Sequence, residues 1–377
     1  MHINELPTPA LLIDAKILER NLAAMQVKAT SLGVSLRPHI KTHKCIEIGR
    51  MQLDLGARGI TVSTFYEAEQ FAAAGFNDIT WAFPIPPVYV ARVLPLAESV
   101  SLRVVVDSME AKGHLDKLCR IAGKKLHVWL KVDCGYHRAG VDPKSPYAEK
   151  LARSLSESKV LKFDGILSHS GHSYAAHRRE EILPVANQER DVMVTFAEWL
   201  RKQGISVPSI SIGSTPAMAV VEDLHGVSEI RPGNYAFYDY TQAMIGSCSV
   251  ADCALTVLAS VISHQPGASH FLTDAGALAL SKDSGPSHVK NRMGLGVLFE
   301  DYSRKRLADH LELATLSQEH GKVVAEDQQF LEGKFSIGEK VHILEHHSCL
   351  TAANFDRYYV VDNEQVVDEW KILRGRV

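Results

Sequence analysis

Leu36-Arg-Pro-His-Ile-Lys41-Thr-His-Lys44 sets two lysines and two histidines at the end of an apolar segment, 33–37. If that segment is a buried strand, Lys41 stands just past its C-terminal end. Loops gather into active sites at that end of α/β sheets. A lysine in a partly desolvated mouth holds its proton less tightly. The free amine then condenses with an aldehyde to a Schiff base. For a Lys-x-x-Lys taken alone, a solvated basic turn before a helix is the commoner reading.

Other reactive residue types fall at comparable places. Ser63-Thr64, Asp133-Cys-Gly-Tyr-His-Arg138-Ala-Gly140, Ser168-His169-Ser-Gly171-His172-Ser-Tyr174, Gly213-Ser214-Thr215-Pro216 and Arg231-Pro-Gly233-Asn234-Tyr235 each follow a short apolar run. Each alone is a weak signal, but with the Lys41 segment six strand ends carry Gly, His, Arg or hydroxyl residues. Gly213-Ser214-Thr215 opens a helical pattern, and Arg231-Pro-Gly233-Asn234 is a second glycine turn. Backbone N–H groups at a helix start favour a phosphate, and barrel phosphate sites commonly follow strands seven and eight. An ordinary Ser/Thr helix cap explains the first of these turns equally well.

A third signal is Leu344-Glu-His346-His347-Ser-Cys349. On a strand, His347 and Cys349 share a face, so imidazole and thiolate can grip one Zn2+, with water or substrate completing its shell. His346 would point the other way. A His-x-Cys by itself more often binds no metal.

These residues need a scaffold. Short Val/Ile/Leu-rich runs at 33–37, 59–62, 78–83, 101–106, 126–132, 161–167, 209–212 and 228–231 alternate with helical patterns such as 65–74, 108–121 and 190–203. Eight buried strands with intervening helices predict an α/β fold, a (β/α)8 TIM-type barrel over residues 15–240, with a doubly wound sheet as the alternative. Beyond it, runs at 255–262, 269–274, 311–316 and 340–344 predict a mostly antiparallel β domain. That domain takes in 1–14 and 241–377, because the run 9–14, ahead of a helix at 15–31, reads as a strand able to join it.

Composition is that of an ordinary globular protein: 46% hydrophobic and 23% charged residues, with a net charge of -3. It offers no basic groove for nucleic acid and no apolar run long enough to span a membrane. The opening residues lack the pattern of a signal peptide, so a cytoplasmic location is expected. The six cysteines are scattered and predict no disulfide framework.

Taken in order, the Lys41 motif, the Asp133–Gly140 and Ser168–Tyr174 segments, the two glycine turns and His347-x-Cys349 resemble the D-serine dehydratase / D-threonine aldolase family. Its members have the alanine-racemase-like fold and bind pyridoxal 5'-phosphate (PLP). The resemblance implies that Lys41, rather than Lys44, carries the cofactor as a Schiff base and then removes the substrate's Cα proton. Arg138 would lie near the cofactor's phenolic oxygen, and His169 would pack on its ring. Gly213, Ser214, Thr215, Gly233 and Asn234 would hold the phosphate, while Arg231 would face the pyridine nitrogen. Tyr174 and Gln318-Glu319-His320 would reach the substrate. His347 and Cys349 match the family's metal pair, for Zn2+ or else Mn2+ or Mg2+. The aldolase type carries aspartate where Cys349 stands, so cysteine points to the dehydratase. Glu345-His346 departs from the family's usual Pro-Asn, and His346 could assist or replace His347.

The expected activity is a PLP- and metal-dependent lyase acting on a small D-3-hydroxy amino acid, with β-elimination to a keto acid and ammonia. Retro-aldol cleavage of D-threonine or 3-hydroxyaspartate is the runner-up. An amino acid racemase, a non-catalytic PLP-binding protein and a zinc hydrolase without PLP stay open as other classes. Analogy with the family implies a homodimer.

Overall fold

The computed structural model describes residues 1–289 and 294–375. Ala24–Gly233 forms the body of one compact unit, and Met1–Ala23 with Asn234–Arg374 forms another.

In the first unit, eight parallel strands run Ser35–Leu36, Ile60–Val62, Asp78–Pro84, Ser101–Val106, Leu126–Lys131, Leu161–Leu167, Ser209–Ile212 and Glu229–Ile230. Numbered along the chain, each pairs with its predecessor from the third onward, and the eighth also pairs with the first. The ring closes between the first and second, where Ile40 N–H donates to the Thr61 carbonyl at 2.9 Å and Thr61 N–H to the Pro38 carbonyl at 2.8 Å. The sheet is therefore a closed barrel and not the doubly wound alternative. Val104, Val105, Val106, Val128, Leu130, Ile166, Ile210 and Ile212 are buried, as strands covered on both faces require.

Local chemistry sets the helix ends. Ser108 accepts the Ala111 N–H at 3.1 Å to start Met109–Ala122, and Gly123 ends that helix at a φ of 64°. Ser63-Thr64 is a cap as well: Thr64 and Glu67 form a capping box on Phe65–Ala73. That pair is occupied in starting a helix and offers no chemistry of its own. The helix expected at 190–203 starts earlier, as Arg179–Lys202, and runs through Pro184, which masks its first turns in the sequence. The first and eighth strands are two residues each, shorter than the runs that announce them.

Charged groups fill part of the barrel interior. Arg37 is buried, with Nε 2.9 Å from Glu229 and Nη1 2.5 Å from Asp78. Arg103 bridges Asp78 and Asp164, and Asp164 meets His127 at 2.7 Å. Arg37 and Glu229, the buried members, each have an opposite charge beside them, which buried ions require.

The second unit is built on the strand Ala10–Asp14. It pairs antiparallel with Leu255–Ser263 on one side and parallel with Arg357–Asp362 on the other. Lys340–Leu344 and Val297–Asp301 extend the sheet beyond Leu255–Ser263, and Gln365–Lys371 extends it beyond Arg357–Asp362. His270–Thr273, Gly321–Ala325 and Leu311–Leu316 form an antiparallel arm. Leu12, Leu258 and Val361 close the core beside Ile3 and Leu6. Among the described residues no helix is long and apolar enough to cross a membrane.

Candidate active site

The first barrel strand ends at Leu36, and the chain then crosses the mouth. His39 N–H donates to the Pro232 carbonyl at 2.9 Å, tying this segment to the turn after strand eight. Lys41 follows, its N–H facing His39 Nδ1 at 3.5 Å. Lys44, the competing amine, takes a left-handed backbone (φ 48°) and places Nζ 3.7 Å from Glu67. Lys44 is therefore committed to an ion pair.

The charges around Lys41 converge. Burial drives the His39 pKa well below the ordinary range, and the positive charges of Lys41 and Arg231 push the same way. His169 is depressed likewise, by burial and then by Lys41, Lys131 and Arg138. Its Nδ1 faces the Gly213 carbonyl at 3.2 Å. Burial, with Arg231 and Arg138 adding to it, lowers Lys131 to about 7. Three cationic side chains, Lys41, Arg138 and Arg231, with the partly charged Lys131, surround two neutral imidazoles and make a basin for an anion. Lys131, the last residue of strand five, is absent from the sequence-based site. Its place two residues before Asp133-Cys-Gly was the available signal.

Arg231 lies buried across this basin. Nη1 donates to Ser211 Oγ at 2.6 Å, and Nη2 donates to the Ser168 carbonyl. Ser211 in turn donates to Glu229 at 2.7 Å, so Arg231 is oriented from the same carboxylate that holds Arg37. Its Nε is buried and has no protein partner. An unsatisfied buried donor costs about 1–3 kcal/mol, which an acceptor placed there would recover.

The two glycine turns are required by close approach. Gly213 has a φ of 118°, and a Cβ on Gly233 would stand 2.5 Å from the His39 carbonyl oxygen. Beneath them is a hydroxyl network that the sequence does not reveal. Buried Glu189 accepts from Ser168 Oγ at 2.7 Å, Ser170 Oγ at 2.6 Å and Gly213 N–H at 3.3 Å. Ser214 caps the next helix by accepting the Ala217 N–H at 3.3 Å, and it contacts Ser173 Oγ at 2.8 Å. The helix-cap reading thus applies to Ser214, whose hydroxyl is already engaged. Thr215 is buried in the first turn of that helix.

Arg138 is exposed, its guanidinium 5.0 Å from the centroid of the Tyr136 ring. Tyr136 stacks with His172 at 6.0 Å and meets the His169 ring edge-on at 6.1 Å. Tyr174 sits on the short turn Gly171–Ala175.

The remaining predicted residues belong to the second unit. Asn234 gives its side-chain amide to Asp239 at 2.7 Å and to Ser348 at 2.8 Å, which leaves the phosphate role expected of it to its backbone. Gln318, Glu319 and His320 form an exposed turn between two strands.

His347 and Cys349 are not on a strand. Lys340–Leu344 ends before them; His347 is the N-cap of the helix Ser348–Ala352, and Cys349 lies in its first turn. Buried Asp239 causes the change of direction, accepting the Ser348 N–H at 3.1 Å. His347 Nδ1 lies 2.8 Å from Asp283 Oδ2. Burial opposes a charged imidazole here. Hydrogen bonds to Asp283 and Cys349 outweigh it and push the His347 pKa up to about 11. His346 points away: Nε2 lies 3.1 Å from the Gly294 carbonyl, and the ring packs on Tyr240 at 5.4 Å.

The residues fit the two groups they were expected to hold. An amine and a buried, partnerless Nε–H in a cationic mouth suit a phosphorylated aldehyde bearing a ring nitrogen. A histidine and a cysteine that share a hydrogen bond beside Asp283 form a donor set for a soft-to-borderline cation such as Zn2+, since whatever favours a proton between them favours a metal in its place.

Comparison with known proteins identifies the family. Residues 13–241 match the alanine racemase N-terminal domain, and residues 254–361 match a serine dehydratase domain. The chain is 37% identical to a D-serine dehydratase of Dictyostelium discoideum, over 98% of this chain and 97% of that one. It is 36% identical to a D-threo-3-hydroxyaspartate dehydratase of Delftia sp., over 98% of each. A solved D-threo-3-hydroxyaspartate dehydratase, a cysteine-to-alanine mutant in the metal-free form, superposes with a TM-score of 0.94 at 35% identity over the full length of both chains.

Proposed function

Since this chain belongs to the family that joins an alanine racemase N-terminal domain to a serine dehydratase domain, we propose that it is a PLP- and metal-dependent lyase of D-3-hydroxy amino acids. The reaction assigned is β-elimination of the D-serine dehydratase type. The observation that carries this reading is the partnerless Nε–H of Arg231 in the mouth that also holds Lys41. Cysteine as the second residue of the metal pair selects dehydratase over aldolase.

When bound, PLP supplies an aldehyde to join the substrate amine and a ring to delocalise the charge left at Cα. A divalent cation on His347 and Cys349 supplies Lewis acidity towards the β-hydroxyl, which is otherwise a poor leaving group. The chain's own residues do the rest. Lys41 would hold the cofactor through its Nζ and would serve as the base for the substrate's Cα proton. The partnerless Nε–H of Arg231 would be the donor available to the cofactor's ring nitrogen. Burial lowers its pKa only to about 10, so it stays a cationic donor at neutral pH and would favour an unprotonated ring nitrogen beside it. His169, depressed by burial and by neighbouring cations, is a neutral imidazole that would pack against the cofactor ring. The backbone turns at Gly213 and Gly233 would hold the phosphate. Loss of water and its re-addition give a net conversion to keto acid plus ammonia.

The test is a product assay of PLP-loaded protein on D-serine, D-threo-3-hydroxyaspartate and D-threonine, with Zn2+ or Mn2+ and with a chelator. Keto acid and ammonia, lost on chelation, are expected. Glycine plus an aldehyde would assign the aldolase reaction, and no product from any substrate would overturn the proposal. A homodimer in solution belongs to the same reading and is checked by molecular mass.

A further inference from the structure

The segment following the short helix Ala277–Leu280 has no role in the site as drawn from the sequence, yet it is built against the metal pair. Thr351, on the helix that carries Cys349, donates to the Leu280 carbonyl at 3.0 Å. Ser281 Oγ then accepts the Asp283 N–H at 3.2 Å, and Asp283 Oδ1 accepts the Gly285 N–H at 2.9 Å. Gly285 takes a φ of 67°, and a Cβ there would stand 2.8 Å from His346 Nδ1. The loop is thus pinned at both ends over His346 and His347. Its one carboxylate contact with the pair is Asp283 Oδ2 to His347 Nδ1, at 2.8 Å.

A histidine has two ring nitrogens, and the partner of one decides what the other does. With Nδ1 bound to a carboxylate, Nε2 is left as the lone pair available to a cation. The imidazole is also fixed in rotation and made more basic. We propose that Asp283 is the positioning residue of the metal pair, orienting His347 so that Nε2 faces the cation and raising the site's affinity for it. The inference rests on the metal role of His347 and Cys349 proposed above.

The test reads metal affinity directly. Metal-stripped, PLP-loaded protein is titrated with Co2+, and the thiolate-to-cobalt absorption band reports cation beside Cys349. Asp283→Ala is expected to raise the Kd by about 10–100-fold with the band still reached at saturation. Asp283→Asn, which keeps an acceptor without the charge, is expected to lie between Asp283→Ala and the parent. The far-UV spectrum and the cofactor band should not change, which separates a positioning role from general loosening of the loop. A Kd for Asp283→Ala within about twofold of the parent, while His347→Ala abolishes the band, would overturn the proposal for Asp283 alone. An undiminished band in both His347→Ala and Cys349→Ala would remove the metal pair itself, and the proposal with it.

Discussion

Glu67 holds the ammonium of Lys44 at 3.7 Å while also accepting the Ser63 N–H at 2.7 Å. The carboxylate is fully buried, so this contact fixes Lys44 beside the start of the next helix. Lys41, three residues earlier, has its charge directed at His39 and His169 instead. Lys41→Ala is therefore expected to abolish the visible absorption of the lysine-linked cofactor and all turnover. Lys44→Ala should keep the absorption and lose part of its stability. Retention of the band in Lys41→Ala together with its loss in Lys44→Ala would exchange the two assignments.

Lys131 should make stability depend on pH. Its folded pKa is about 7, because burial and then Arg231 disfavour the charge, against about 10.4 for an unfolded lysine. Between those values the unfolded chain binds the extra proton, so stability rises with pH from about 7 to about 10. Below pH 7 the amine is charged in both states, and the full penalty is present. Lys131→Met is expected to raise the urea midpoint of cofactor-free protein at pH 6 and to lose that advantage by pH 10. An advantage that is the same at both pH values would refute the assignment.

Arg37 is a structural cation. Arg37→Ala strands Glu229 and Asp78 without their shared partner and is expected to cost about 3–5 kcal/mol in urea unfolding at pH 7. Burial alone would raise the Asp78 pKa; Arg37 and Arg103 outweigh it and lower the net value. That contribution is present above about pH 3.9 and is lost as pH falls through the folded value. The variant should therefore show a flatter acid limb than the parent.

Gly233→Ala would set a methyl group 2.5 Å from the His39 carbonyl oxygen and 3.0 Å from its Cβ. Both belong to the facing segment after strand one, which His39 N–H ties to the Pro232 carbonyl, and they cannot swing aside. A loss of about 1–3 kcal/mol is expected, with weaker retention of PLP on dialysis as the more specific signature. Unchanged retention would show that this turn does not hold the phosphate.

Cys349→Ala is expected to retain PLP and to lose turnover of D-serine by on the order of 100-fold or more, as does chelation of the parent, because loss of Lewis acidity costs several kcal/mol. Added Zn2+ should restore the chelated parent and leave the variant inactive. Restoration of both would place the cation elsewhere.

The barrel was legible because its strands are buried on both faces and read as apolar runs. Where only two residues pair, as at Ser35–Leu36 and Glu229–Ile230, the ladder was shorter than the run announcing it. Arg37 shows why, since its side chain follows two carboxylates supplied by other strands. The expected strand at His347 failed for a similar reason. Asp239 captures the Ser348 N–H from 109 positions away and starts a helix there. Local alternation cannot report a partner so distant. Glu189, Lys131 and Asp283 were missed on the same grounds, being ordinary charged residues until the fold supplies what they touch. Lys41, His169, Arg231 and the glycine turns were readable because their residue types at strand ends are unusual in themselves.

The strand Ala10–Asp14 lies between partners that begin at Leu255 and at Arg357. On the ribosome, the earliest-made strand of that sheet must wait for nearly the whole chain before its second edge is covered. Ala24–Gly233 needs nothing beyond Gly233 to close its ring of strands. Synthesis thus favours a nascent chain whose barrel is complete while the other sheet is still open, and a product shortened before Arg357 would carry a bare, aggregation-prone edge on the strand Ala10–Asp14.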